Sequence, residues 1–288
     1  MVEELKDEGL GINILCNTLE VSRSGYYAWA KRPESARAKE SASLSEEVQR
    51  IFEKSRGTYG VPRIHEELKE AGKNHGKERI RKIMVKEGLS AAPKRKFVKT
   101  TDSNHDLPIV PRVIQTENQE TMPTQPGEAW ASDITYIETD EGWLFLAIFL
   151  DLFTRMVVGT AMADHLRSEL VLEALDAALG RHGVSDAGLT AHSDRGAQYA
   201  AEIYRERLKA ESITASMSRK GNCYDNAYVE SFFHTLKTEL VYRTKFATRE
   251  EAKKAIFEFI EVWYNRERRH SSLGYKSPAE FERRALAS

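Results

Sequence analysis

Trp130-Ala131-Ser132-Asp133-Ile134-Thr135-Tyr136-Ile137 is the stretch from which the fold of this chain is read. Apolar residues interleave with Ser, Asp and Thr, the period-two pattern of a strand. Asp140-Glu141-Gly142 then reads as a hairpin turn, Trp143–Phe153 as a largely buried strand and Arg155–Met162 as a third strand. Ser168–His182 carries Leu170, Leu172, Leu175, Ala178 and Leu179 at helical spacing. Leu189–Asp194 reads as a fourth strand, Ala200–Ala210 as a helix, Ile213–Met217 as a short strand and Asp225–Val241 as a helix. Three strands followed by alternating strand and helix predict an α/β domain, a mixed sheet with helices on its faces.

Three carboxylates stand out by position in this pattern. Asp133 lies on the first strand. Asp194 lies at the carboxyl end of a later one, where α/β sheets usually place ligands. Glu230 lies on the last helix of the domain, with 35 residues (195–229) between it and Asp194. A rotation of about 100° per residue puts Glu230, Asn226 and Lys237 on one side of that helix. The apolar stripe of Val229, Phe233, Leu236 and Leu240, with Phe232 at its edge, lies on the other. A Glu and a Lys on a helix describe a solvated face equally well; the combination with two strand-borne acids favours chemistry. Hard oxygen ligands suit Mg²⁺, and a pair of such ions can clamp the attacking and leaving oxygens of a phosphodiester. The set points to metal-dependent cutting and joining of DNA. Asp133 would bridge two ions, Asp194 and Glu230 would each complete one shell, and Lys237 would hold a phosphate. His192 and His234 read either as supporting groups or as packing.

Charge divides the chain although the net value is only −1. Residues 31–100 hold 19 Lys and Arg against 10 Asp and Glu, and residues 1–30 hold 2 against 5. The remainder is acidic but ends in a basic tail, 11 against 7 over residues 243–288. Bulk attraction to phosphates therefore belongs to the region before residue 100. Three helices are expected there. Leu44–Lys54 presents Leu44, Val48, Ile51 and Phe52. A second helix opens at Val61-Pro62 and stops at Gly72, and a third runs from Gly76 to Glu87 with Gly88 as its cap. The outer face of the third shows Lys77, Arg79, Arg81, Lys82 and Lys86, and Arg63 lies on the second. A three-helix unit with a basic last helix has the layout of a major-groove reader; a solvated charged helix is the plainer reading. Residues 1–30 predict a short helix-turn-helix packed by Leu15, Leu19 and Val21, bending at Val21–Gly25. The expected organisation is a helical segment over 1–35, a three-helix DNA-binding domain over 36–90, a Pro-interrupted linker over 91–128, a catalytic core over 129–242, and a C-terminal helix with basic tail over 243–288.

Two cysteines, Cys16 and Cys223, make neither a disulfide framework nor a zinc cluster. The acidic N-terminus is not a secretory signal, and the longest apolar run, Trp143 to Leu150, is too short to span a bilayer. A soluble protein of the bacterial cytoplasm, associated with the nucleoid and with no membrane partner, is expected.

Several motifs together resemble one family. Ser132-Asp133-Ile134-Thr135-Tyr136, His192-Ser193-Asp194-Arg195-Gly196, and Ser216 to Ala227 followed by Glu230-Ser231-Phe232-Phe233 resemble the integrase core of bacterial insertion-sequence transposases. The match is to the OrfB product of the "insertion sequence three" family, and the 35-residue spacing fits its D,D(35)E arrangement. Tyr264-Asn265, Arg269-His270-Ser271-Ser272-Leu273-Gly274-Tyr275 and Pro278-Ala279-Glu280-Phe281 resemble the C-terminal signature of that family. Residues 57–90 look like its helix-turn-helix module and Val21–Tyr27 like its N-terminal segment. The resemblance implies an RNase H-like fold preceded by a small all-α DNA-binding region. It implies a transposase that uses two Mg²⁺ ions, with Mn²⁺ as substitute, to expose a 3′-hydroxyl and join it to target DNA. Terminal inverted repeats and target DNA are the implied partners. The protein is expected to be at least a dimer in synapsis, with an upstream OrfA product or an OrfA–OrfB fusion as further partner. A metal-dependent nuclease on the same fold, or a DNA-binding regulator with an inactive core, are the competing readings.

Overall fold

Side-chain caps start two of the first three helices. The computed structural model describes residues 11–33, 35–91, 122–184, 188–218 and 227–287. In it α1 spans Ile12–Thr18, α2 Arg23–Ala30 and α3 Ala36–Lys54. The Ser22 hydroxyl accepts from Gly25 N at 3.0 Å and the Ser35 hydroxyl from Ala38 N at 3.1 Å, satisfying amides that have no partner inside their helices. Ser22 therefore starts a helix where the sequence predicted a longer bend. Leu15 is buried with Cys16, but Val21 is 44% exposed and does not join the expected packing. The helix α3 also starts eight residues before Leu44, because Ser35 caps a run with few helix breakers.

Val61–Glu70 forms α4 and Lys77–Lys86 forms α5. Proline sits in the first turn of α4, where no amide partner is lost. Gly88 takes φ +66° after α5, and Leu89 N closes the end by donating to the Met84 carbonyl at 2.8 Å. Leu44, Val48, Ile64, Leu68, Ile80 and Met84 fill the centre of these three helices.

The sheet contains β1 (Ala129–Thr139), β2 (Gly142–Asp151) and β3 (Val157–Ala163), then, after α6 (Ser168–His182), β4 (Thr190–Ser193) and β5 (Thr214–Met217). Its order is β3-β2-β1-β4-β5. The first three strands are antiparallel neighbours, and β4 and β5 run parallel to β1. Between β4 and β5 the helix expected at Ala200–Ala210 is two pieces, α7 (Ala197–Ala200) and α8 (Glu202–Ala210). Ala201 takes extended backbone between them. The closing elements are α9 (Ala227–Glu239), α10 (Arg249–Glu258) continuing as a π-helix over Phe259–Glu267, and α11 (Pro278–Leu286).

Each face of the sheet has its own core. One holds Ala131, Ile137, Leu146 and Ile148 with Val229, Phe232, Phe233 and Leu236 of α9. The other holds Trp130, Phe149 and Val158 with Leu170, Ala174, Leu175 and Ala178 of α6. Phe232 is buried with the stripe of α9, and Leu240, beyond the end of the helix, is only partly buried. Gly159 lets α6 approach β3: a Cβ there would stand 2.3 Å from the Ala174 carbonyl oxygen. Asn265 ties the C-terminal segment to the sheet. Its Oδ1 accepts from Val157 N at 3.0 Å and its Nδ2 donates to Val157 O at 2.9 Å, so a side-chain amide pairs with the strand as a peptide would.

Candidate active site

Register places the two aspartates level. Parallel pairing of β1 with β4 aligns Ser132 with Ser193, so one residue further Asp133 and Asp194 lie side by side. Strand alternation puts Asp133 on the face of Ala131 and Ile137, the face covered by α9. That helix carries Glu230 and Lys237. The sequence thus delivers its carboxylates by three devices: a central strand, the end of its parallel neighbour, and a helix laid over both.

Electrostatics record the proximity. Burial first, then the charge of Asp194 and further that of Glu230, push the Asp133 carboxyl well above the ordinary carboxylate range; the Ile134 amide and the Lys237 charge pull the other way. Asp133 keeps some exposed surface, and Oδ1 accepts from Ile134 N at 2.8 Å. Asp194 Oδ1 accepts from Gly196 N at 2.8 Å, a local turn that fixes its direction. Burial lowers the Lys237 pKa while Asp133 holds it up, and Lys237 Nζ stands 5.1 Å from the centre of the Tyr136 ring. Among the described residues no three His, Cys, Asp or Glu side chains close into a metal cage. The acids are within electrostatic reach of one another without being a closed set.

Asp151 provides the contrast. It is a buried acid at the end of β2, but its oxygens accept from Phe153 N, Thr154 N, the Thr154 hydroxyl and Gly127 N at 2.7–3.0 Å. Four donors make it a structural carboxylate. Asp133 has one backbone donor and two acidic neighbours. Its donor set is hard oxygen with an excess of negative charge, which fits a divalent cation.

The remaining sequence-selected residues separate clearly. His192 is buried with ring nitrogens 2.9 Å from the Ser216 hydroxyl and 3.1 Å from the Ser218 hydroxyl, which joins β4 to β5. His234 lines a cavity on another side of α9. Asn226 lies outside the described residues, as does Cys223. On α5, Lys77, Arg81, Lys82 and Lys86 are exposed, Arg81 pairing with Glu78. Arg79 instead reaches Glu40 at 2.7 Å and Ser41 at 3.1 Å, bracing α5 on α3. Arg63 stacks on the Tyr59 ring and donates to the Arg269 carbonyl at 3.0 Å. Sequence reading passed over Tyr199. Its hydroxyl lies 2.9 Å from the Ser132 hydroxyl beneath the acids, and burial with the charges of Asp133 and Asp194 raises its pKa. Only its closeness to Asp194 in sequence signals it.

The acids give a pH expectation. A carboxyl raised in the folded protein is favoured in its protonated form there. Its contribution to stability is present below the unfolded value of about 3.9 and is lost as pH rises through the raised folded value. In a chelating buffer, thermal stability of the wild type should therefore fall relative to Asp133→Asn as pH rises from about 4. Parallel melting curves for the two proteins would refute the assignment.

Sheet order and register, with helices on both faces, give a core of integrase type. An integrase core domain profile matches residues 123–223, a second integrase core domain profile matches residues 211–278, and an HTH-like domain profile matches residues 39–97. A 31 kDa protein of insertion element IS600 from Shigella sonnei, itself called uncharacterized, is 44% identical over 267 residues, covering 93% of this chain and 97% of the relative. Transposase InsF of insertion sequence IS3A from Escherichia coli K12 is 38% identical over 278 residues, covering 96% and 95%. Among solved structures, a simian T-cell lymphotropic virus intasome complex with PP2A regulatory subunit B56 gamma is similar at TM-score 0.48 and 17% identity, over 62% of this chain and 60% of that one. The HTLV-2 integrase catalytic core in complex with magnesium is similar at TM-score 0.42 and 16% identity, over 55% and 98%. The chain belongs to the insertion-sequence transposases of the IS3 type, with an integrase core and an HTH-like domain. No helix among the described residues is long and apolar enough to cross a membrane.

Proposed function

We propose that this chain is a DDE polynucleotidyl transferase that exposes a 3′-hydroxyl at the ends of its own insertion sequence and joins it to target DNA. The observation that carries this reading is the strand register that sets Asp133 level with Asp194, under the helix that carries Glu230. Two Mg²⁺ ions, or Mn²⁺, would supply Lewis acidity at the attacking and leaving oxygens. Asp133 would bridge them, and Asp194 and Glu230 would each hold one. Lys237 remains half-buried beside Asp133, so its ammonium can hold a nonbridging phosphate oxygen with little water to compete. The Gly196 amide and the Ser132–Tyr199 contact keep the two aspartates aimed. Lys77, Arg81, Lys82 and Lys86 on the outer face of α5 would track the backbone of the terminal repeat, with Asn226 and Arg63 as further DNA contacts. Synapsis of two ends calls for at least a dimer, and the upstream OrfA product or an OrfA–OrfB fusion is the partner proposed for it.

The test is strand transfer. The protein is incubated with a pre-cleaved end of its element and a supercoiled target in Mg²⁺. Joined product is expected. Metal-dependent nicking without joining would replace this reading with a nuclease, and DNA binding with neither reaction would replace it with a regulator.

A further inference from the structure

A second charged site lies on α9, away from the carboxylates. Tyr228, Ser231, Thr235 and Thr238 of that helix line a cavity of about 280 Å³. They point roughly 100° around the helix axis from Glu230 and Lys237. The opposite wall comes from Thr58 and Arg63, from Arg155 after β2, and from Arg268 and His270 of the C-terminal segment. The lining holds three arginines and one carboxylate, Glu239, which is already engaged by Arg268 at 2.7–3.0 Å. The balance is strongly positive in a space large enough for several waters.

Unsatisfied buried polar atoms cluster in the residues of this lining. Six buried side-chain atoms in the described residues meet no hydrogen-bond partner, and four of them belong to this lining: Arg155 Nε and Nη1, Thr238 Oγ1 and His270 Nε2. Native proteins leave few such groups, and each calls for a reason. The Arg155 guanidinium lies 3.4 Å from the centre of the Tyr228 ring, stacked and held in place. Its backbone takes φ +63°, a conformation a β-carbon disfavours. The three cations act on one point: after burial, the charges of Arg268, Arg63 and Arg155 hold the His270 pKa at about 2. An oxyanion in the cavity would offset the surplus positive charge of the arginine-lined wall.

We infer that this cavity binds a backbone phosphate of the DNA strand flanking the reacting phosphodiester, on the opposite flank of α9 from Lys237. The inference rests on the transposase reading for its ligand, but binding in chelator separates it from catalysis. Arg155→Asn removes the guanidinium while keeping a residue that tolerates positive φ. Arg63→Gln is the second variant, and thermal melts check that both are folded. Fluorescence anisotropy with a terminal-repeat duplex in EDTA is read as a function of salt. Each phosphate contact contributes about 0.9 to the slope of log affinity against log salt. A slope smaller by about 1 in both folded variants is the expected result. In a second arm, inorganic phosphate alone should raise the melting temperature of the wild type more than that of Arg155→Asn. An unchanged slope with phosphate still stabilising would overturn the DNA assignment in favour of a free phosphate. An unchanged slope without phosphate stabilisation would overturn the site altogether.

Discussion

Asp133→Asn, and separately Glu230→Gln, should reduce strand transfer at least about 10³-fold while the protein stays folded and bound to DNA. On the proposed two-metal reading, losing one ligand would forfeit several kcal/mol of transition-state stabilisation, and each 1.36 kcal/mol is a factor of ten. The fold should tolerate the change because Asp133 accepts one backbone hydrogen bond and sits among like charges, so Asn removes repulsion. Asp151→Asn is the control with the opposite outcome. Its four donors include backbone amides that an Asn amide group cannot all satisfy, so stability should fall first. Joining is measured with a pre-cleaved end, and folding by thermal melt. A folded Asp133→Asn protein that joins at near wild-type rate would remove Asp133 from the catalytic set.

Local patterns carried most of the fold, and they fail where partners are distant in sequence. Alternation over Trp130–Ile137 and helical spacing over Ser168–His182 identified β1 and α6, because each element buries one face and the period records it. The same period put Glu230 and Lys237 on one side of α9. What no period records is register. Asp133 and Asp194 stand level only because Ser132 pairs with Ser193. Basic patterning likewise treats all arginines alike. Arg79 also meets Glu40 of α3, and Arg63 also stacks on Tyr59 and bonds the Arg269 carbonyl, contacts that a charge pattern does not record. Asn265 was visible only as part of a family signature; its pairing with Val157 spans 108 residues. The cavity beside α9 was invisible for the same reason, since its walls come from four separated stretches.

Arg268→Ala should destabilise the protein by about 3–5 kcal/mol, the usual cost of stranding one member of a buried ion pair. Arg268 and Glu239 are both nearly closed to solvent, at 7% and 8% side-chain exposure. The guanidinium meets both carboxylate oxygens at 2.7–3.0 Å, and Trp263 Nε1 donates to the same carboxylate at 3.3 Å. Without Arg268 the buried Glu239 carboxylate loses the partner that meets both of its oxygens. Glu239 is the last residue of α9, so the pair fastens the end of the helix that carries Glu230. The double replacement Arg268→Met with Glu239→Leu removes both charges and should recover much of the loss, as buried pairs exchanged for packed apolar residues commonly do. Urea unfolding of the wild type, the single variant and the double variant measures this directly. A loss below about 1 kcal/mol in the single variant would mean that water reaches Glu239 and that the pair behaves as a surface one. If stability returns in the double variant while strand transfer does not, Arg268 acts on DNA as well as on α9, because it also lines the cavity beside Arg155.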